Sequence, residues 1–307
     1  MLKRLSRGFA LVLAQGVVVL QAGASEGIFG YTYTLDNTPR GNWEYEQKHT
    51  WREGKARGRY HALDLRNEFE YGITNDLQVA FYLENLYLYQ KDVLDPEDTT
   101  NFFANHDEFN IRGASVEFLY RAMSVYRDVI GLGFYLEPEI SVWHKVHGFD
   151  IAERAIEGRI IVQKNFLDDT LITAFNLMLE PEWTKENGLH GKELYAELSA
   201  GLSYRFKPKW FVGFELRNHA EFPDMNLGNQ EHSAYFAGAN IHYGNQRYWW
   251  TLTALPQIYG WPQNLGLDAS GNEVKDKDLH LGEHERFEVR FMFGIPLATY
   301  GASDGLL

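Results

Sequence analysis

Apolar and polar residues alternate along most of this chain. In the stretch from His61 to Leu88, Leu63, Leu65, Phe69, Tyr71 and Ile73 take odd positions, with Asp64, Arg66, Glu68 and Glu70 at the even positions between them. A period of two sends successive side chains to opposite faces of an extended backbone, so the pattern predicts a β-strand with one apolar and one charged face. Gly72-Ile-Thr-Asn-Asp76 supplies residues that tolerate a tight turn. Leu77, Val79, Phe81 and Leu83 then carry the alternation into a second limb. Each limb runs about ten residues, where an ordinary strand has roughly five or six.

The unit recurs. Strands are expected over 42–52, 61–71, 77–88, 108–120, 129–143, 154–164, 170–183, 193–206, 210–219, 232–243, 247–258 and 284–295. The links after every second strand are short, and the others are longer and more polar. At Gly113-Ala114 the parity slips: Phe109 and Ile111 precede it, and Val116, Phe118 and Tyr120 follow. A glycine at such a slip predicts a β-bulge. No helical periodicity of useful length appears, so the fold class is all-β, in one domain.

A soluble β-protein would bury the apolar face, whereas a transmembrane barrel turns it outward and lines its lumen with the polar face. Strand length favours the barrel, since crossing a bilayer takes about nine to eleven tilted residues. So do the even strand count and the alternation of short turns with longer loops. Aromatics cluster at strand ends, with Trp51, Tyr60, Trp143 and Trp183 toward the loops and Tyr71, Tyr120, Tyr204, Phe206, Trp210, Tyr243 and Tyr248 toward the turns. Two such girdles are expected where both ends of a strand meet lipid headgroups. The expectation is a single antiparallel transmembrane β-barrel of about twelve strands over residues 41–297. It has periplasmic turns and termini, extracellular loops, an N-terminal segment 25–40 in the periplasm or lumen, and a tail 298–307.

Composition adds the compartment. Lys3, Arg4 and Arg7, the apolar run from Phe9 to Leu20 and the small residues Ala22-Gly-Ala24 read as a signal peptide over residues 1–24. Its removal takes three basic residues and moves the net charge from −13 to −16. So acidic a chain argues against nucleic acid as partner. With no cysteine present, a disulfide framework, thiolate metal sites and a cysteine nucleophile are excluded.

The chain resembles Gram-negative outer-membrane β-barrels. The turn Glu70-Tyr-Gly-Ile-Thr-Asn-Asp-Leu-Gln-Val79 is similar to one used across proteobacterial barrels of porin-like or uncharacterised function. The resemblance implies outer-membrane lipid and lipopolysaccharide as surroundings. It also implies recognition by the barrel-assembly machinery through the last strand, where Phe287, Phe291 and Phe293 look like the assembly signal, although residues 296–307 follow.

The face expected to line the lumen carries Glu44, Glu46, Lys48, Asp64, Arg66, Glu68, Glu70, Glu137, Glu139, Glu157, Arg159, Glu197, Glu215, Arg217, Glu288 and Arg290. Rows of carboxylates between low-dielectric walls concentrate cations. The first expectation is therefore a narrow channel or passive transporter for small polar or cationic solutes. A salt-bridged lumen in a non-conducting structural barrel fits the same residues. Histidines gather on the loop side, among them His49, His61, His106, His219 and His232. Imidazole beside carboxylate suits borderline divalent metals. His144, His147, His280 and His284 are the weak candidates for capture at the rim. An outer-membrane hydrolase is a further alternative, but no residue set selects a catalytic site, and no cofactor is expected.

The inside-out assignment predicts that Leu65→Arg sharply reduces insertion, measured as heat-modifiable folded protein in membranes. Arg on the lipid face near the midplane costs about 2–4 kcal/mol. Glu68→Leu, one parity step away, should still insert, and the reverse order of effects refutes the assignment.

Overall fold

A computed structural model describes residues 27–95, 100–144, 148–186, 188–267, 270–275 and 277–297. The expected signal peptide and C-terminal tail lie outside the described residues. Twelve strands close an antiparallel barrel. They are β1 (Trp43–Glu53), β2 (Arg59–Gly72), β3 (Leu77–Lys91), β4 (His106–Met123), β5 (Gly131–Trp143), β6 (Asp150–Phe166), β7 (Leu171–Glu186), β8 (Leu189–Lys207), β9 (Trp210–Pro223), β10 (His232–Gly244), β11 (Trp249–Trp261) and β14 (Phe287–Leu297). Neighbours in sequence pair with each other, and β1 pairs with β14 from Trp43↔Leu297 to Glu53↔Phe287 to close the ring. The expected loop before the last strand holds a small extra sheet of β12 (Asn264–Leu267) and β13 (Glu273–Lys275).

Several expected boundaries move. β6 begins at Asp150 and β14 at Phe287, and β7 and β8 run so high that Glu186 pairs with Leu189 across an almost absent loop. The parity slip in β4 is a bulge at Arg112: Glu84 pairs with Gly113 and Asn85 with Ile111, which leaves Arg112 as the extra residue. Beyond it, odd residues of β4 face inward.

The wall is inside-out relative to a soluble protein. Phe134, Leu136, Leu202 and Phe214 stay 46–52% exposed on the outside, while Glu68 and Glu215 are 0% exposed inside. Exposing rows of large apolar side chains on every strand is unfavourable in water and favourable in lipid. Two expected girdle members do not belong to the outer surface. Tyr60 is 1% exposed in a luminal cluster with Ala62, Leu86 and Leu88, and Trp143 packs against that cluster. They share parity with the inward residues Ala62 and Ser141, and nearness to a strand end does not override parity.

The N-terminal segment lies in the lumen. Phe29 packs with Ile28, Ile172 and Ala174, Tyr31 with Ala234, Phe236 and Leu255, and Leu35 with Leu119, Tyr135 and Ile161. Leu35 is 1% exposed, and burying such a side chain fully stabilises by roughly 1.5–3 kcal/mol. Room for the segment comes from inward glycines: Gly133 faces Leu35 and Gly201 faces Phe29.

A Cβ at Gly201 would lie 2.6 Å from Phe29 Cε1. Gly201→Leu should therefore displace the Phe29 end of the segment, at about 1–3 kcal/mol for overpacking. The measurement is limited proteolysis of the folded protein, with cleavage near residues 27–33 at least several-fold faster while heat-modifiability persists. Unchanged cleavage would show that the segment is not held there.

Candidate functional site

The luminal segment forms almost no ladder with the wall, because closed strands already use their own main-chain groups. Its amides are met by side chains instead. The N–H of Gly30 donates to Glu215 Oε1 at 2.8 Å, and those of Tyr31 and Thr32 to Glu215 Oε2 at 2.8 and 3.1 Å. Asn240 and Thr253 also donate to Oε1 of the same carboxylate. Tyr33 exchanges two hydrogen bonds with Asn176, its N–H donating at 2.6 Å and its carbonyl accepting at 3.0 Å. The N–H of Leu35 donates to Gln163 and that of Thr38 to Gln78. Arg290 donates to the Gly30 carbonyl and Arg121 to that of Leu35. These contacts are made from the turn-side half of the barrel, so the segment crosses the lumen as a plug.

Around and above the plug the inward side chains form an ionic lattice. Lys48 meets Glu68 at 2.6 Å. Arg66 reaches Glu84 at 2.8 Å and also binds Glu137. Arg112 binds Glu84 and joins Glu139 at 2.7 Å and Glu153 at 3.5 Å. Arg159 joins Glu157 at 2.9 Å and Glu197 at 3.4 Å. Arg217 joins Glu197 at 2.7 Å and Glu288 at 2.8 Å. Arg52 joins Asp64 at 2.8 Å and Glu285 at 3.0 Å. Buried charges persist only when paired and hydrogen-bonded, and removing one partner leaves the other uncompensated.

The structure joins most of the sixteen residues expected to line the lumen into the lattice or the plug sockets. Glu44 accepts from Trp249 Nε1 at 2.6 Å, and Glu70 from the Thr38 hydroxyl at 2.6 Å. Among the described residues, ligand atoms converge in two carboxylate trios, Glu44–Glu46–Glu70 and Glu84–Glu137–Glu139. The protein's own donors already serve both. Sequence reasoning missed Arg112, which shares the inward parity of Glu108 and Asn110 and is the last residue before the parity of β4 changes. It also missed the socket amides Gln78, Gln163 and Asn176, which inward parity on strands β3, β6 and β7 would have shown.

A small cavity lies between the segment and the wall of β1–β4 and β14. Its lining holds five carboxylates, Asp36, Glu46, Glu68, Glu70 and Glu117, against one cationic side chain, Arg290.

At the loop rim, His219 and His232 meet His280 and His284 of the segment that links β13 to β14. His232 Nδ1 and His284 Nε2 are 3.1 Å apart, and His232 Nε2 lies 3.0 Å from Glu221. The His280 ring stacks on His232 at 5.0 Å. Gln257 clamps this segment, accepting from the His280 N–H at 2.6 Å and donating to the carbonyls of His280 and Glu285 at 3.0 Å. Two of the weak metal candidates, His280 and His284, thus meet each other and two further histidines. Their ligand atoms are not among the groups that converge on one point. His144 stacks on Phe149 away from them, and His147 lies outside the described residues. His49, grouped with the rim by sequence, faces outward from the middle of β1, beside Phe291 of β14.

Residues 21–297 match the model of a family of unknown function, DUF6662, and the chain belongs to that family. No curated protein matches its sequence. The COG4313 outer membrane channel from Pseudomonas putida F1 is similar in fold, with a TM-score of 0.54 at 7% identity over 85% of this chain and 97% of that one. The NanC porin gives a TM-score of 0.48 at 9% identity over 83% and 100% of the chains. LpxR from Salmonella typhimurium gives 0.45 at 7% over 82% and 99%. At these identities the likeness to the P. putida channel concerns the barrel fold alone.

Burial pushes the His280 imidazole down to about 4, and it pushes His284 down as well, with neighbouring histidines adding to the shift. For a histidine held neutral in the fold, the stabilisation is complete above the ordinary value near 6.5 and is lost as pH falls toward 4. Hydrogen exchange of residues 277–286 should therefore accelerate between pH 6.5 and 4, at least tenfold after correction for intrinsic rates, while strand amides stay protected. In His280→Gln the step should shrink, and an unchanged profile refutes the assignment.

Proposed function

We propose that this member of the DUF6662 family is a narrow channel of the Gram-negative outer membrane that passes small cationic or polar solutes along the acidic space beside its plug. The observation that carries the reading is the imbalance of the cavity lining, five carboxylates against a single arginine. In a confined space of low dielectric, such a lining raises the local concentration of cations and repels anions. The plug narrows the passage, and the carboxylates that line it, Asp36, Glu46 and Glu117 among them, would set selectivity. The barrel fold shared with the P. putida channel is compatible with this role.

A second reading has its own support. The plug sockets and the ion-pair lattice fill much of the lumen, which suits a barrel that does not conduct and serves as a rigid platform. Planar-bilayer recording separates the two. The channel reading expects small single-channel steps with a reversal potential favouring cations. Glu46→Gln with Glu117→Gln should lower that preference several-fold, and deletion of residues 27–36 should raise conductance. Anion selectivity would overturn the assignment, and silence of both the full and the deleted protein would decide for the non-conducting barrel.

A further inference from the structure

The outer wall carries one feature that neither the channel nor the plug uses. Along the middle of nearly every strand the outward residues are apolar, as in Leu132, Phe134, Leu136 and Ile140 of β5 or Leu198, Ala200 and Leu202 of β8. The sector β1–β3 breaks the rule. Gln47, His49, Asn67 and Asn85 share the parity of the lipid-facing residues Trp43, Trp51, Phe69 and Phe81. Gln47 pairs with Asn67, and Leu65 lies between His49 and Asn85 in the ladder, so the four side chains form one patch. Its depth is fixed by its own strand. Trp43 and Trp51 face the same way and are 39% and 43% exposed, and Gln47 is midway between them. Two aromatics bracketing a position at both interfaces place it near the bilayer midplane.

Part of the patch satisfies itself. Asn67 Oδ1 accepts from the Tyr45 hydroxyl at 2.9 Å and from Gln47 Nε2 at 3.1 Å, and Gln47 Oε1 pairs with His49 Nε2 at 3.1 Å. The rest does not. The Asn85 carboxamide has no hydrogen bond to the described residues, and neither does the amide nitrogen of Asn67. Acyl chains offer neither donor nor acceptor, and polar groups in the hydrocarbon region bind across to another protein surface.

We propose that this sector of β1–β3 is the contact surface of a homodimer within the membrane, with the amides of Gln47, Asn67 and Asn85 bonding to those of a second copy across a two-fold axis. The chemistry selects that occupant. A carboxamide both donates and accepts, so a patch of three is complementary to its own rotated image, which is the requirement of an isologous interface. Lipopolysaccharide sugars and headgroups meet the barrel at the aromatic girdles and do not reach the midplane. A surface dedicated to a different protein has no need to be self-complementary. The inference is independent of conduction, and its failure would leave the channel reading untouched.

The chain has no cysteine, so a single engineered thiol reports on one place. Leu65→Cys puts a thiol inside the patch, and Leu198→Cys puts one on β8, across the barrel. After oxidation in bilayers at high lipid-to-protein ratio, Leu65→Cys should form covalent dimers and Leu198→Cys should not. Native mass spectrometry of the cysteine-free protein released from nanodiscs should show a dimer. Asn67→Leu with Asn85→Leu should cut the dimer fraction at least tenfold while the protein stays folded and heat-modifiable, because Leu suits a lipid-facing wall. A monomer in nanodiscs, equal cross-linking at both positions, a dimer unaffected by the double substitution, or cross-linking to a protein of different mass would each overturn the proposal.

Discussion

A closed antiparallel wall consumes its own main chain, and much of the interior follows from that constraint. Each strand bonds to two neighbours around the ring, so the wall offers mainly side chains to whatever enters the lumen. An extended segment brings its own row of N–H and C=O groups, which need partners once they leave water. Here Glu215 takes three successive amides, and Asn176, Gln163 and Gln78 take others. A carboxylate accepts but does not donate when ionised, and the one that receives three amides is the socket for Gly30–Thr32. The carboxamide of Asn176 does both, and it meets a residue that offers both.

The same constraint shapes the charges. Inward-facing positions are too many to fill with plug alone, and apolar filling would compete with the lipid-facing wall for the outside. Carboxylates and guanidiniums fill the volume while directing their polarity at each other. Arg66, Arg112, Arg159 and Arg217 each reach two or more carboxylates on different strands. Such bridges cross-brace strands that the ladder alone joins only to immediate neighbours. Their net contribution to stability is modest because desolvation offsets the Coulomb attraction. Their larger consequence is to leave carboxylates near the plug in excess over cations.

Architecture and the inward direction of most charges were legible because period-two alternation is a local property of the chain. What escaped the sequence was non-local. A bulge opposite Glu84 and Asn85 lets both Arg112 and Gly113 face inward, and parity alone does not say which residue is absorbed. Tyr60 and Trp143 sit at strand ends like the girdle aromatics, but their parity turns them inward. The plug's path depends on which inward residues are small or amide-bearing, as Gly201 and Gln163 are, and these residue types are common in strands for unrelated reasons. The rim histidines came together through a segment whose clamp, Gln257, has no signature of its own.

β1 is where these demands collide. From Trp43 to Trp51 its inward positions are Glu44, Glu46, Lys48 and Thr50, and its outward ones include Gln47 and His49. A strand polar on both faces has the weakest alternation in the barrel, and register is least specified where alternation is weak. Two features compensate. Its inner face is fixed by discrete bonds, Glu44 to Trp249 and Lys48 to Glu68. Its outer face is tied to β2 through Asn67. This strand also closes the barrel with β14, where Arg290 donates to the Thr50 hydroxyl, so the seam too carries a specific polar contact. The residues that line the acidic space and those that break the apolar belt are therefore alternate positions of the same strands, and a change of register at the seam would exchange one set for the other.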